Sequence, residues 1–320
     1  MDVQTFQNLP TSEVARLVRQ KGPRVCVFPI NGTRRWFMLE YPDLAATDFA
    51  QAYIRTTWQR QTELYKLFFD HGVETLLTPI FGPDLLERGD EYRQLVEPGL
   101  LWFTQDQHML NFYDAYDVRV RVYGDTQRYF PNTPYAHVLE AFTQLTHRTA
   151  GHERHRLFFG VCAHDPTETV AQIAVRLHER HGTVPTKRQI VEAYYGEHVG
   201  PVDLFIGFDR PAAFDMPLIS TGNEDLYFTI SPSPYLDRHT LRAILYDHMY
   251  ARRVDEADYT ALSPEDWQTL ADFYALNRHN VLGIGQKHRS GKFWHPLPQV
   301  KLPSPHNSND GETDGLRNTG

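Results

Sequence analysis

The residues with the clearest chemical potential are Asn31-Gly32-Thr33-Arg34-Arg35, directly after an apolar run that ends at Pro29. A glycine just past a strand lets the backbone turn tightly and directs N–H groups outward, where an anion can meet them. Two consecutive arginines add forked donors matched to phosphate oxygens. Gly32, Thr33, Arg34 and Arg35 are therefore candidate ligands of a phosphate group. Taken by composition alone, the same string reads more readily as a solvated arginine pair capping a helix. Other patterns are weaker. His152-Glu153-Arg154-His155 and His178-Glu179-Arg180-His181 pair histidines three apart without the HExxH spacing or a third ligand, and they read as surface histidines. Gly283-Ile284-Gly285 has no strand–helix fingerprint after it and reads as a turn.

The elements that must position the arginines follow from periodicity. Strand candidates are 24–29, 73–80, 118–123, 157–162, 203–206 and 226–230. Helical stretches lie between them, including 49–69, 167–181 and 187–195, the last opening on Pro185-Thr186. Strands alternating with helices imply crossover connections and a mainly parallel sheet covered on both faces, an α/β fold. Ligands of such sheets sit beyond the carboxyl ends of the strands, which places the segments after Pro29, Ile80, Tyr123, Cys162 and Ile206 on the functional rim. The 320 residues, 41% of them hydrophobic, suffice for a sizeable core. Lys and Arg number 32 against 40 Asp and Glu, a net charge of −8 that argues against a nucleic-acid partner. No run of 18 apolar residues is present to span a bilayer, and the first residues lack a signal-peptide pattern. Cys26 and Cys162 each sit in an apolar run and read as buried thiols of a reduced cytoplasm. The globular domain is expected over 1–300, and residues 301–320, almost without apolar side chains, as a disordered tail.

The string FPINGTRRWF at 28–37 resembles the DGNRRWA signature of cis-prenyltransferases, the undecaprenyl diphosphate synthase fold, and more nearly the FDGTRRWF form of its tuberculosinol synthase and tuberculosinyl adenosine transferase branch. Further blocks are similar in collinear order: His71 to Phe81 with Asp84, Leu85 and Arg88, then Val118 to Asp125, Phe159 to Val170 with Glu168, Tyr194 to Gly196, Asp203 to Phe208, and Asp225 to Thr229. The resemblance covers about residues 5–295. It implies one cis-prenyltransferase-like domain, a homodimer, Mg²⁺ and an isoprenoid diphosphate substrate. It also implies that Arg242 reaches the diphosphate bound by Gly32 to Arg35. Asp225 aligns with a glutamate that helps hold Mg²⁺ in the elongating enzymes.

The departures narrow the expected activity. Elongation needs a second diphosphate site built from an IRTxGExRxSN string, but Gly207 stands where its first arginine belongs and Ala212 or Ala213 where the second does. Arg210 is the remaining cation of that segment, between Asp209 and Asp215. Chain growth is therefore not expected. The surviving first site implies ionisation of a diterpenyl diphosphate to an alcohol or hydrocarbon, with transfer to a nucleoside, or non-catalytic binding, as alternatives. Neither DDxxD nor DxDD occurs, which sets aside the common terpene-cyclase folds. Asn31 replaces the aspartate of the signature, and asparagine is neither a strong metal ligand nor a base. It admits three readings: a natural working residue, an introduced Asp→Asn trap, or the mark of a non-catalytic relative.

Overall fold

The computed structural model describes residues 1–47, 49–85, 90–131, 135–252, 259–290, 292–297 and 301. Arg88 and the expected tail beyond 301 lie outside them. The chain forms two compact units, Met1–Val254 and Asp255–Gly320.

The first unit opens with α1 (Val3–Asn8) and α2 (Thr11–Lys21), followed by β1 (Val25–Val27). After the rim loop come α3 (Thr33–Glu40), α4 (Pro42–Thr47) and α5 (Phe49–Asp70), which leads back to β2 (Thr75–Phe81). The remaining strands are β3 (Val118–Tyr123), β4 (His155–Val161), β5 (Leu204–Phe208) and β6 (Asp225–Thr229). Together they form a six-stranded sheet in the order β3-β4-β2-β1-β5-β6, and every pair is parallel. This is the mainly parallel α/β sheet expected from the alternation of strands and helices.

Successive strand residues point to opposite faces, and here the two sets bury separate cores. Cys26, Leu76, Leu157, Leu204 and Ile206 join α5 and its Tyr65, Phe68 and Phe69 on one side. Val25, Val27, Leu77, Phe158 and Phe205 join Ile173, Val191 and Tyr195 from the helices Thr167–His181 and Lys187–Tyr195 on the other. Cys26 and Cys162 are both fully buried. Because all strands run the same way, their carboxyl ends gather at one edge, and α5 starts at that edge before running down one face.

His155 departs from the surface reading. It is the first residue of β4, 4% exposed, with its ring stacked on Phe69 at 4.4 Å. Its neighbour in the motif is paired too, as His152 Nδ1 lies 2.9 Å from the Val118 carbonyl. In the second unit, the helix Pro264–Asn277 precedes β7 (Gly285–Lys287), which pairs antiparallel with β8 (Trp294–Pro296). Gly283, at φ 92°, makes the turn into that hairpin, and Gly285 belongs to the strand.

Candidate active site

A cavity of about 710 Å³ opens at the carboxyl edge of the sheet. At its mouth lie Asn31, Gly32, Thr33, Arg34 and Arg35, so the structure brings the whole predicted string to one place. Gly32 caps α3 at φ 74°, and a Cβ there would stand 2.8 Å from the Phe208 ring and 2.9 Å from Pro232 Cβ. Only glycine gives that turn and that close approach. The turn aims the first N–H groups of α3 at the cavity, where the helix dipole favours an anion. Ser233 fixes the loop: the Asn31 N–H donates to its Oγ (3.0 Å), its own N–H donates to the Asn31 carbonyl (3.0 Å), and its Oγ reaches the Pro29 carbonyl (3.2 Å).

The guanidinium groups are held by ring faces. Arg34 lies over Phe49 at 5.3 Å, and Arg35 over Phe208 at 4.7 Å with Asp209 3.5 Å away. Both arginines are exposed and able to turn onto a ligand. Thr33 Oγ1 is 2.8 Å from the Tyr53 hydroxyl, which ties the mouth to α5. Beyond the mouth the wall is largely apolar, built from Phe49, Tyr53, Trp58, Phe81, Leu100 and Phe103 among others. Phe49 and Tyr53 stack at 5.3 Å, and Trp58 stacks on Trp102 at 5.0 Å. Such faces stabilise a nearby cation as well as a hydrocarbon chain.

Two expected ligands lie elsewhere. Arg242, on the helix Arg238–Tyr246, is 1% exposed and absent from the cavity lining. Its guanidinium donates to the carbonyls of Gln7 (2.6 Å) and Leu9 (2.7 Å), to Thr11 Oγ1 (3.0 Å) and to His71 Nε2 (3.2 Å). Burial lowers the His71 pKa, and its Nδ1 meets the Leu67 carbonyl at 2.7 Å, so neutral Nε2 accepts from Arg242. This arginine joins the N-terminal helices to the core instead of binding substrate.

Asp225 is the first residue of β6, at the strand end away from the cavity. Its carboxylate pairs with buried His248 at 2.6 Å and with Arg252 at 3.6 Å. Arg252 also holds Asp247 at 2.6 Å. Asp225 is thus spent on an ion-pair network, and no group of three or more metal-ligating side chains occurs among the described residues. Among the described residues, the acidic one that lines the cavity is Asp215, whose carbonyl accepts from the Tyr123 hydroxyl at 2.8 Å.

At Gly207, where the resemblance expects the first arginine of a second diphosphate site, aromatic rings take up the space. A Cβ on Gly207 would lie 2.7 Å from the Phe228 ring and 2.9 Å from Phe205. An arginine side chain cannot enter there without displacing those rings. Arg210 is exposed and does not line the cavity. Sequence reasoning missed Ser233, Thr57, Trp58 and Gln61 in this site. The last three continue the Phe49–Tyr53 spacing along α5, a signal that was present in the helical period.

Comparison with known proteins gives the same picture. No family model matches. The chain is 43% identical over 285 residues to tuberculosinyl adenosine transferase of Mycobacterium tuberculosis, covering 88% of this chain and 95% of that protein. It is 29% identical over 285 residues to (+)-kolavelool synthase of Herpetosiphon aurantiacus, covering 87% and 91%. Its fold matches a probable undecaprenyl diphosphate synthase from Campylobacter jejuni with TM-score 0.52 at 13% identity, over 74% of this chain and 98% of that one. It also matches lavandulyl diphosphate synthase from Lavandula x intermedia, solved with dimethylallyl diphosphate, with TM-score 0.54 at 12% identity over the same shares.

Proposed function

Since the chain belongs to the tuberculosinyl adenosine transferase family of the cis-prenyltransferase fold, we propose that it ionises an allylic diterpenyl diphosphate without chain elongation. The observation that supports this reading is the string Gly32 to Arg35 at the mouth of an aromatic-lined cavity, together with a Gly207 whose added Cβ would stand 2.7 Å from the Phe228 ring. The diphosphate sits against the first N–H groups of α3, with Thr33 beside it and Arg34 and Arg35 turning from their ring faces onto its oxygens. As the C–O bond breaks, negative charge grows on the leaving oxygen, and the fixed N–H groups and guanidiniums stabilise it. The allylic cation stays among the rings of Phe49, Tyr53, Trp58 and Phe103, which exclude bulk solvent. Capture by water gives an alcohol, and proton loss gives a hydrocarbon.

Mg²⁺ bound with a diphosphate takes only one or two protein carboxylates, and Asp215 and Asn31, both of which line the cavity, have side-chain oxygens of a type that suits that small donor set. Mg²⁺ would offset part of the diphosphate charge and ease its departure. On this reading Asn31 is a working residue that contributes a neutral oxygen. The family resemblance supports a homodimer, and β6, an outer strand with exposed Leu226 and with exposed Ile230 just past its end, is an apolar edge suited to it. The two buried thiols suit a cytoplasmic setting.

The test offers geranylgeranyl diphosphate and a bicyclic diterpenyl diphosphate with Mg²⁺, and reads diphosphate release and the organic products by mass spectrometry. Release that depends on Arg34 and Arg35 supports ionisation. Polyprenyl products grown from isopentenyl diphosphate would sink it. Adding adenosine tests the transfer alternative, which the name of the 43% identical relative supports: a terpenyl–adenosine adduct would establish it.

A further inference from the structure

Four buried side-chain oxygens beneath the mouth have no full hydrogen bond among the described residues: Thr57 Oγ1, Gln61 Oε1, Tyr65 OH and Thr78 Oγ1. Thr57, Gln61 and Tyr65 recur every four residues on α5 and so share one face of the helix. Thr57 is 4% exposed, and Tyr65 and Thr78 are completely buried. Thr57 and Gln61 line the cavity, while Tyr65, next to Thr78, belongs to the core below it. The helix can satisfy a threonine by itself, as Thr62 shows by donating to the Trp58 carbonyl at 3.0 Å. Thr57 does not do so. Buried oxygens without partners destabilise a fold unless a ligand or water supplies the missing hydrogen bond. A terpenyl skeleton has no hydrogen to offer them, whereas water does.

We propose that Thr57 and Gln61 hold the water molecule that captures the terpenyl cation, an assignment that rests on the ionisation reading above. The water donates one O–H to Gln61 Oε1 and the other to Thr57 Oγ1, leaving a lone pair directed into the cavity. The new bond joins the water oxygen to the allylic carbon. The protonated alcohol then gives its extra proton to the released diphosphate, so the products are the terpenyl alcohol and hydrogen diphosphate. Both side chains are positioning residues acting through the water. Tyr65 and Thr78 lie behind it and extend the polar path into the core.

The experiment compares the unmodified enzyme with Thr57→Val, Gln61→Met and the double variant, reading the ratio of alcohol to hydrocarbon in whatever product forms. The ratio is expected to fall about tenfold in the double variant, the loss of about one hydrogen bond to a reacting water. Thr57→Ser, which keeps the hydroxyl, is expected to retain it. An unmoved ratio, or an unmodified enzyme giving hydrocarbon alone, overturns the capture role while leaving ionisation standing. No diphosphate release from the unmodified enzyme sinks ionisation and the capture role together. A crystal structure of the unmodified enzyme reads the site without turnover. Water within hydrogen-bond distance of both oxygens is the expected result, and none there overturns the proposal.

Discussion

At the scale of single residues, the candidate site gathers groups that a short sequence string makes visible and partners that it conceals. The grouping of Gly32, Thr33, Arg34 and Arg35 at the cavity was legible because it is local: one turn, one helix start, two adjacent guanidiniums. Replacing Arg34 or Arg35 by alanine is expected to lower kcat/KM by about 10²- to 10³-fold, measured by diphosphate release, with lysine partly restoring it. Asn31 was legible as a departure, but Ser233, which staples its backbone, lies about two hundred positions away and has no motif. His155 was misread because its fate depends on Phe69 and on the Val73 carbonyl, 3.2 Å from its Nδ1. Burial lowers its pKa from 6.5 to about 4, with nearby Arg154 adding to the effect. The unfolded chain therefore binds a proton that the folded chain refuses. Its contribution is intact above pH 6.5 and is lost as pH falls towards 4, by up to about 3 kcal/mol. Urea unfolding between pH 7 and 4 is expected to show this loss, and His155→Phe to flatten it.

At the scale of elements, the six strands of the parallel sheet were legible in the sequence to within a few residues, because short β-rich runs between amphipathic helices leave few alternatives, whereas the short β7 and β8 were not. What failed was the direction of side chains between elements. Asp225 opens a strand, and a strand's first residue lies at the end away from a rim built from carboxyl ends, so its place in a network with His248 and Arg252 follows from topology. Arg242 was misplaced for a different reason: which helix face meets which neighbour is decided by packing that spans more than two hundred residues. Its carbonyl partners at Gln7 and Leu9 make it the tie that holds α1 and the start of α2. Arg242→Ala is expected to cost about 3 kcal/mol of stability, measured by denaturant unfolding. Hydrogen exchange should show α1 opening first.

At the scale of the molecule, the cavity joins two kinds of structure: a polar mouth made of loops at the sheet edge, and an apolar depth made of α5, which is also part of the core. The Phe228 ring beside Gly207 leaves no room for the arginine that the resemblance expects at that position. Gly207→Arg is expected to destabilise the fold by about 1–3 kcal/mol or more through overpacking and to give no elongated product with isopentenyl diphosphate. The same overlap bears on ancestry. A lineage carrying this ring could return to chain growth only by first losing the aromatic plug, which leaves a hole, or by first gaining the cation, which collides. Either first step is a loss, so the overlap acts as a ratchet against the appearance of a cation at this position.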